Sequence, residues 1–201
     1  MIFESPQTRA FPRFPRFFAV AMVALLAIVS AGCGQAGRES PSPTVVATTT
    51  IVADLVRQIA ADQVQVVSLM GAGVDPHSYR PTPRDADRLA RADLIVASGL
   101  HLEGKLAELL GRISERKQVV FVAEAIPEAS RLEAAAGIPD PHVWFDLSLW
   151  AASIDPTLEA LCKLRPDAAD VFRQAADRYR ASLLATHADV KSAIAAIDHQ
   201  K

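Results

Sequence analysis

Residues 45–69 read VVATTTIVADLVRQIAADQVQVVSL. Val45-Val46-Ala47-Thr48-Thr49 is a short, largely β-branched run and predicts a strand. Ile51, Val52, Leu55, Val56 and Ile59 then recur at helical spacing up to Ala61, and Val64 to Leu69 predicts a second strand. The same alternation continues downstream. Met70 to Pro83 holds two Gly and three Pro and reads as a loop. A helix follows from about Arg84 to Arg91, with Asp85 and Asp87 near its positive end. Asp93 to Ser98 is the third strand, and Gly99 turns the chain. Leu102, Leu106, Leu109, Leu110 and Ile113 mark another helix, and Val119 to Val122 is the fourth strand. Nearly continuous apolar strands separated by helices imply right-handed crossovers and a sheet covered on both faces. The fold class is therefore α/β, a four-stranded parallel sheet lobe with flanking helices.

Beyond residue 142 the strand signals stop. Trp150, Ile154, Leu158, Leu161 and Leu164 suggest a helix, but Pro156 lies inside the pattern. An interior proline costs about 3 kcal/mol, whereas a first helical position accepts one. A break is expected, with Asp155 capping a helix that starts at Pro156. Pro166-Asp167 opens the last helix. From there Phe172, Ala175, Tyr179, Leu183, Val190, Ile194 and Ile197 hold one seam to the end. A helix of roughly 30 residues is about 45 Å long. It predicts a strut reaching beyond the small lobe.

At the other end, Arg9, Arg13 and Arg16 face a single acid, Glu4, in the first 16 residues. Phe17 to Val29 is an uncharged apolar run of 13 residues, too short for the ~20 needed to span a membrane and suited to a signal-peptide core. Ser30-Ala31-Gly32-Cys33 follows and resembles the bacterial lipoprotein signal, in which the cysteine becomes the lipidated first residue. Ser30 departs from that pattern, where Leu is commoner. An ordinary secretory signal or an uncleaved anchor are the alternatives, and both leave Cys33 without a role. Residues 34–44 (GQAGRESPSPT) are small and polar, as in a flexible tether. Cys162, on a helical pattern, reads as a buried small hydrophobe.

Composition removes several function classes. The 201 residues carry 21 basic and 23 acidic side chains, a net charge of −2. Three of those basic residues and one acidic residue lie in the leader, so the remainder carries −4. With aromatics at 6% and charges interspersed, there is no basic field or stacking surface for nucleic acid. Two cysteines cannot build a disulfide scaffold or a multi-cysteine zinc site.

Of five histidines, two share a setting: Asp75-Pro76-His77 and Asp140-Pro141-His142. Each proline biases the preceding Asp away from helix and stiffens the turn. Loops at the carboxyl ends of parallel strands face the crevice where such folds bind ligands. Neutral imidazole is a usual ligand for transition metals, with carboxylates orienting it from behind. His77 and His142 are thus candidate metal ligands, with Asp75 and Asp140 as candidate orienting groups. The alternative is a pair of histidines bonded to their own turns. His101 is read as a helix cap, His187 as a packed seam residue and His199 as solvated.

The residues also carry a family resemblance. Asp75-Pro76-His77-Ser78-Tyr79, with Pro81 to Asp85 after it, resembles the first ligand loop of the zinc/manganese solute-binding lipoproteins of ABC importers, the TroA-like family. Gly99-Leu100-His101-Leu102-Glu103-Gly104-Lys105 is similar to that family's loop after the third strand. Asp140 to Asp146 (DPHVWFD) is similar to its second ligand loop. The motifs run in the family's order from about Val45 to Ile197.

The resemblance implies two α/β lobes joined by a long rigid helix, with Zn²⁺ or Mn²⁺ held between them as the transported substrate. It makes His77 and His142 first-lobe ligands and Asp167 to Ile197 the connecting helix. It also implies a His or Glu and an Asp from a second lobe, and on that expectation residues 45–201 carry a truncated form with only the first-lobe half of the site. The expected organisation is a signal peptide (1–33), a tether (34–44), a metal-binding lobe (45–165) and an interlobe helix (166–201). The implied protein is not an enzyme. It is anchored to the membrane through Cys33, in the periplasm or on the outer face of the cell membrane, and serves an ABC permease and its ATPase. Pro156 departs from the family's unbroken helix. Three rivals compete: a surface adhesin or interaction module, a non-functional fragment, and a zinc hydrolase. The hydrolase is disfavoured by the lack of an HExxH motif and of a third ligand.

Overall fold

The computed structural model of the protein describes residues 42–198. Cys33, the leader, most of the tether and His199 lie outside the described residues. Strands and helices alternate as β1 (Thr44–Ala47), α1 (Thr50–Ala60), β2 (Gln65–Ser68), α2 (Pro83–Arg91), β3 (Leu94–Ala97), α3 (Leu106–Ser114) and β4 (Val119–Phe121). All four strands are parallel, in the order β2-β1-β3-β4. The central strands are buried and the outer two only partly so.

The period-2 alternation of a pleated strand divides the core between two faces. Val45, Ala47, Leu94 and Val96 join α1 residues Leu55, Val56 and Ile59 on one face. Val46, Ile95 and Ala97 join Leu89 of α2 and Leu106 and Leu110 of α3 on the other. Because the chain steps outward from β1 to β2 and then returns to β3, the carboxyl ends of β1 and β3 form the switch point where such sheets bind ligands.

Local chemistry sets the element ends. The Thr49 hydroxyl accepts from the Val52 amide and caps α1. Thr82 and Asp85 form a reciprocal capping box on α2, with Pro83 as its first residue. The helix expected from Arg84 thus starts one residue earlier. Thr44, expected in the tether, pairs with Gln65 as the first residue of β1.

Three expectations are corrected beyond β3, and one element is new. The helix expected to include Leu102 begins at Leu106, because residues 99–105 form a turn in which Gly99, Leu100, His101 and Gly104 all have positive φ. After β4 the chain makes a small antiparallel hairpin, β5 (Glu133–Ala135) and β6 (Ile138–Pro139). That hairpin was not anticipated, since its Leu-Glu-Ala-Ala-Ala composition favours helix. The break near Pro156 lies upstream of it. A short α4 (Leu147–Trp150) and a 3₁₀ turn (Ala151–Ser153) lead into α5 (Ile154–Leu164). Pro156 sits in the first turn of α5, where its missing N–H costs nothing, so the helix can start two residues ahead of it. Asp155 does not cap; its carboxylate accepts from Arg180.

A 3₁₀ turn at Pro166–Ala168 opens the last helix, α6 (Ala169–Asp198), 30 residues long. Its seam is covered only in part. Phe172, Ala175, Ala176 and Leu183 are buried, whereas Val190, Ile194 and Ile197 are exposed. The reason is reach: α1, α4 and α5 cover only the first half of so long a rod. Among the described residues no helix is long and apolar enough to cross a membrane.

Candidate metal centre

The two Asp-Pro-His turns have the same local construction. Asp75 Oδ1 accepts from the His77 amide at 3.0 Å, and Asp140 Oδ1 accepts from the His142 amide at 2.9 Å. Each is an Asx-type turn in which the carboxylate fixes the backbone two residues on. The first turn hangs in the β2–α2 loop. Its far end is anchored by Tyr79, whose hydroxyl donates to Asp85 at 2.8 Å. The second turn leaves the β5–β6 hairpin, where the Asp140 amide donates to the Leu132 carbonyl at 2.7 Å. Loops from β2 and from β4, on opposite edges of the sheet, therefore converge above the switch point.

Their imidazoles meet. His77 Nε2 and His142 Nε2 lie 3.1 Å apart, with ring planes inclined by 50°. Two nitrogens bound to Zn²⁺ at about 2.0–2.1 Å and a tetrahedral angle stand about 3.3–3.4 Å apart, so the observed separation is close to that of two donors on one ion. Asp140 does more than hold an amide. Its Oδ1 also lies 2.7 Å from His142 Nδ1. That contact puts the proton on Nδ1 and frees the Nε2 lone pair, the arrangement found behind metal-ligating imidazoles. Asp75, expected to orient the His77 ring, instead holds its backbone and the Ser78 hydroxyl. Trp144 stands edge-on to His142 at 5.3 Å, and Phe145 is 82% exposed beside it.

The electrostatics suit a cation. Hydrogen bonds from the His142 amide and ring hold the Asp140 carboxyl below the usual range. The Ser78 hydroxyl and the His77 amide do the same for Asp75. Both carboxylates are thus held in the ionised form beside their turns, and Asp140 brings that charge against the His142 ring. Among the described residues no group of three or more His, Cys, Asp or Glu side chains is placed to hold a metal.

The remaining candidates lie apart. His101 is exposed at φ +63° and caps nothing, because the cap position of α3 is Lys105. His187 pairs with Asp146, Nδ1 to Oδ1 at 3.3 Å, which ties α6 to the loop following His142. Cys162 is half-buried, with Sγ 4.0 Å from the Ala169 carbonyl.

One functional group escaped the sequence reading. Glu103 is 1% exposed. Its carboxylate accepts from the Thr48 hydroxyl at 2.7 Å and from the Ser98 and Gly99 amides. Burial pushes its pKa up against those hydrogen bonds. It ties the carboxyl ends of β1 and β3 to the 99–105 turn at the floor of the site. An acidic residue between Leu102 and Gly104, in a turn bounded by glycines, was the available signal.

Comparison with known proteins gives the family and the fold. Residues 45–201 match the family described as "ZnuA: Zinc-uptake complex component A periplasmic". The chain is similar to the manganese-binding lipoprotein MntA of Bacillus subtilis, at 43% identity over 76% of this chain and 51% of that protein. It is also similar to the zinc-binding protein TroA of Treponema pallidum, at 43% identity over 70% of this chain and 46% of that one. The solved structure of the periplasmic zinc-binding protein TroA superposes with a TM-score of 0.71 at 42% identity, over 74% of this chain and 54% of that one. A manganese-bound periplasmic metal-binding protein from Candidatus Liberibacter asiaticus superposes with a TM-score of 0.67 at 28% identity, over 76% of this chain and 57% of that one. The chain thus spans about half the length of the relatives it matches. The family match, the identity and the shared fold agree: the chain belongs to the ZnuA family of periplasmic zinc-uptake components.

Proposed function

We propose that this chain is the metal-binding lobe of an extracytoplasmic solute-binding lipoprotein that captures Zn²⁺ or Mn²⁺ and passes it to an ABC permease driven by its ATPase. His77 and His142 are the ligands contributed by this lobe, and Asp140 orients His142. Cys33 carries the lipid that holds the protein at the membrane. The metal is cargo, and the protein performs no catalysis. The observation that carries the reading is the 3.1 Å separation of the two Nε2 atoms, reached from loops on opposite edges of the sheet.

Two imidazoles leave at least two positions of a tetrahedral ion to other donors. The exposed stripe of Val190, Ile194 and Ile197 on α6 supports a second body, bearing those donors, along the free half of the helix. The histidine pair alone grips far more weakly than a complete site, for which about 10–16 kcal/mol is typical of structural zinc.

Calorimetric titration of the full chain in detergent with Zn²⁺, and separately with Mn²⁺, tests the assignment. One ion per chain is expected, with binding abolished by His77→Ala plus His142→Ala. Equal binding by the double variant would refute the ligand assignment. Lipid labelling that survives Cys33→Ala would remove the anchor.

A further inference from the structure

We propose that Gly104 is a positioning residue for His77, setting the height of the first ligand loop through its lack of a side chain. This rests on His77 being a ligand. Gly104 lies in the turn after β3 at φ +48°, and its Cα faces the back of the Asp75-Pro76-His77 turn. A Cβ at this position would overlap the His77 carbonyl oxygen, with the carbonyl carbon at 3.1 Å and the Pro76 oxygen at 3.5 Å. These neighbours are backbone atoms, which no rotamer change can move aside.

The two backbones in contact are unequally held, so the one that yields is determined. Leu102, Glu103 and Leu106 are all buried around Gly104. The Glu103 carboxylate pins the turn to Thr48, Ser98 and Gly99. Further bonds run within the turn, from Leu102 to Gly99, from Gly104 to His101 and from Leu106 to Glu103. The His77 turn, by contrast, is exposed. Its own bonds are those from the His77 amide and from Ser78 to the exposed Asp75 carboxylate, and a 3.4 Å contact from the Tyr79 amide to the Pro76 carbonyl. A methyl group on residue 104 therefore lifts His77 and leaves the floor in place. His142, reached from the hairpin, stays where it is. The ring pair then opens, and a ligand constellation tolerates misplacement of only about 0.5 Å.

Other glycines supply the control. Gly71 lies in the same loop as His77, and an added Cβ there meets nothing within 4 Å.

The test is Zn²⁺ titration of the full chain in detergent, with the metal alone as probe. Gly104→Ala is expected to weaken binding about 10–100-fold, the range for losing an orienting partner behind a ligand, while Gly71→Ala leaves it unchanged. A purely structural effect of Gly104→Ala appears in any background, whereas positioning of His77 vanishes when His77 is gone. Gly104→Ala should therefore add no further loss to His77→Ala. Should Gly104→Ala fail to fold, Glu103→Gln takes its place in the same cycle, since it loosens the floor without adding an atom. Weakened binding in His77→Ala with unchanged binding in the positioning variant overturns the proposal alone. So does an equal loss in both backgrounds. Unchanged binding in His77→Ala overturns the ligand assignment and this proposal together.

Discussion

Removing the Asp140 carboxylate should loosen metal binding through His142 without touching a metal donor. A single oxygen, Asp140 Oδ1, clamps both ends of that residue: the amide at 2.9 Å and ring Nδ1 at 2.7 Å. Asp140→Ala frees the ring to rotate and removes the acceptor that keeps the proton on Nδ1. Loss of such an orienting partner costs about 10–100-fold in metal affinity, or about 1.4–2.7 kcal/mol. The exposure of the pair, 40% at His142 and 34% at Asp140, places the effect toward the lower end through solvent screening. Asp75→Ala provides the internal comparison, because Asp75 bonds only the amide of His77 and not its ring. Calorimetric titration with Zn²⁺ should therefore rank affinities as parent, then Asp75→Ala, then Asp140→Ala. A loss at Asp75 equal to or larger than that at Asp140, or unchanged binding in Asp140→Ala, would refute ring orientation as the role of this carboxylate.

Two further outcomes concern stability. Phe172 is fully buried where α6 meets the rest of the lobe, so Phe172→Ala should cost about 3–5 kcal/mol in urea denaturation; a loss below 1 kcal/mol would mean that α6 is not integral to the core. The Tyr79–Asp85–Thr82 network should set limits at both ends of the pH range. Burial pushes the Asp85 carboxyl up, but hydrogen bonds from Thr82 and Tyr79 and the charge of Arg88 outweigh it, leaving the folded pKa low. Its stabilisation is therefore present above the ordinary carboxylate value of about 3.9 and is lost as pH falls through the folded value. Burial and the bond to Asp85 push Tyr79 from 10.0 up to about 12, so its contribution is lost as pH rises across that interval. Urea melts across pH should show Asp85→Asn flattening the acid limb and Tyr79→Phe the alkaline one; unchanged limbs would remove the network from the account.

Much of the lobe was legible because its signals are local and repeated. Val45-Val46-Ala47 and Leu94 to Ala97 are apolar at every position, as central strands buried on both faces must be. Prolines and glycines marked the loops between. What failed did so where tertiary contacts overrode local preference. Leu102 fits a helical register, yet Glu103 is drawn down onto Thr48, Ser98 and Gly99, and the turn this imposes delays α3 to Leu106. The periodicity of α6 runs through Ile197 but cannot say how far along a helix its neighbours reach. Burial of that seam ends at Leu183.

The candidate site divides along the same line. The two histidines were legible because a proline after an aspartate is a backbone instruction written in three adjacent residues. That the rings would stand within 3.1 Å was not, because the distance depends on strand order, on a hairpin spanning Glu133 to Pro139, and on a glycine 27 positions from His77. Of the two carboxylates expected to orient the rings, only Asp140 reaches one. The two turns are alike in sequence and in their amide bonds. They differ in support: one rises from a hairpin, and the other rests against Gly104. His142 is thus held through its ring and His77 through its backbone, so the two donors should lose their grip under different substitutions.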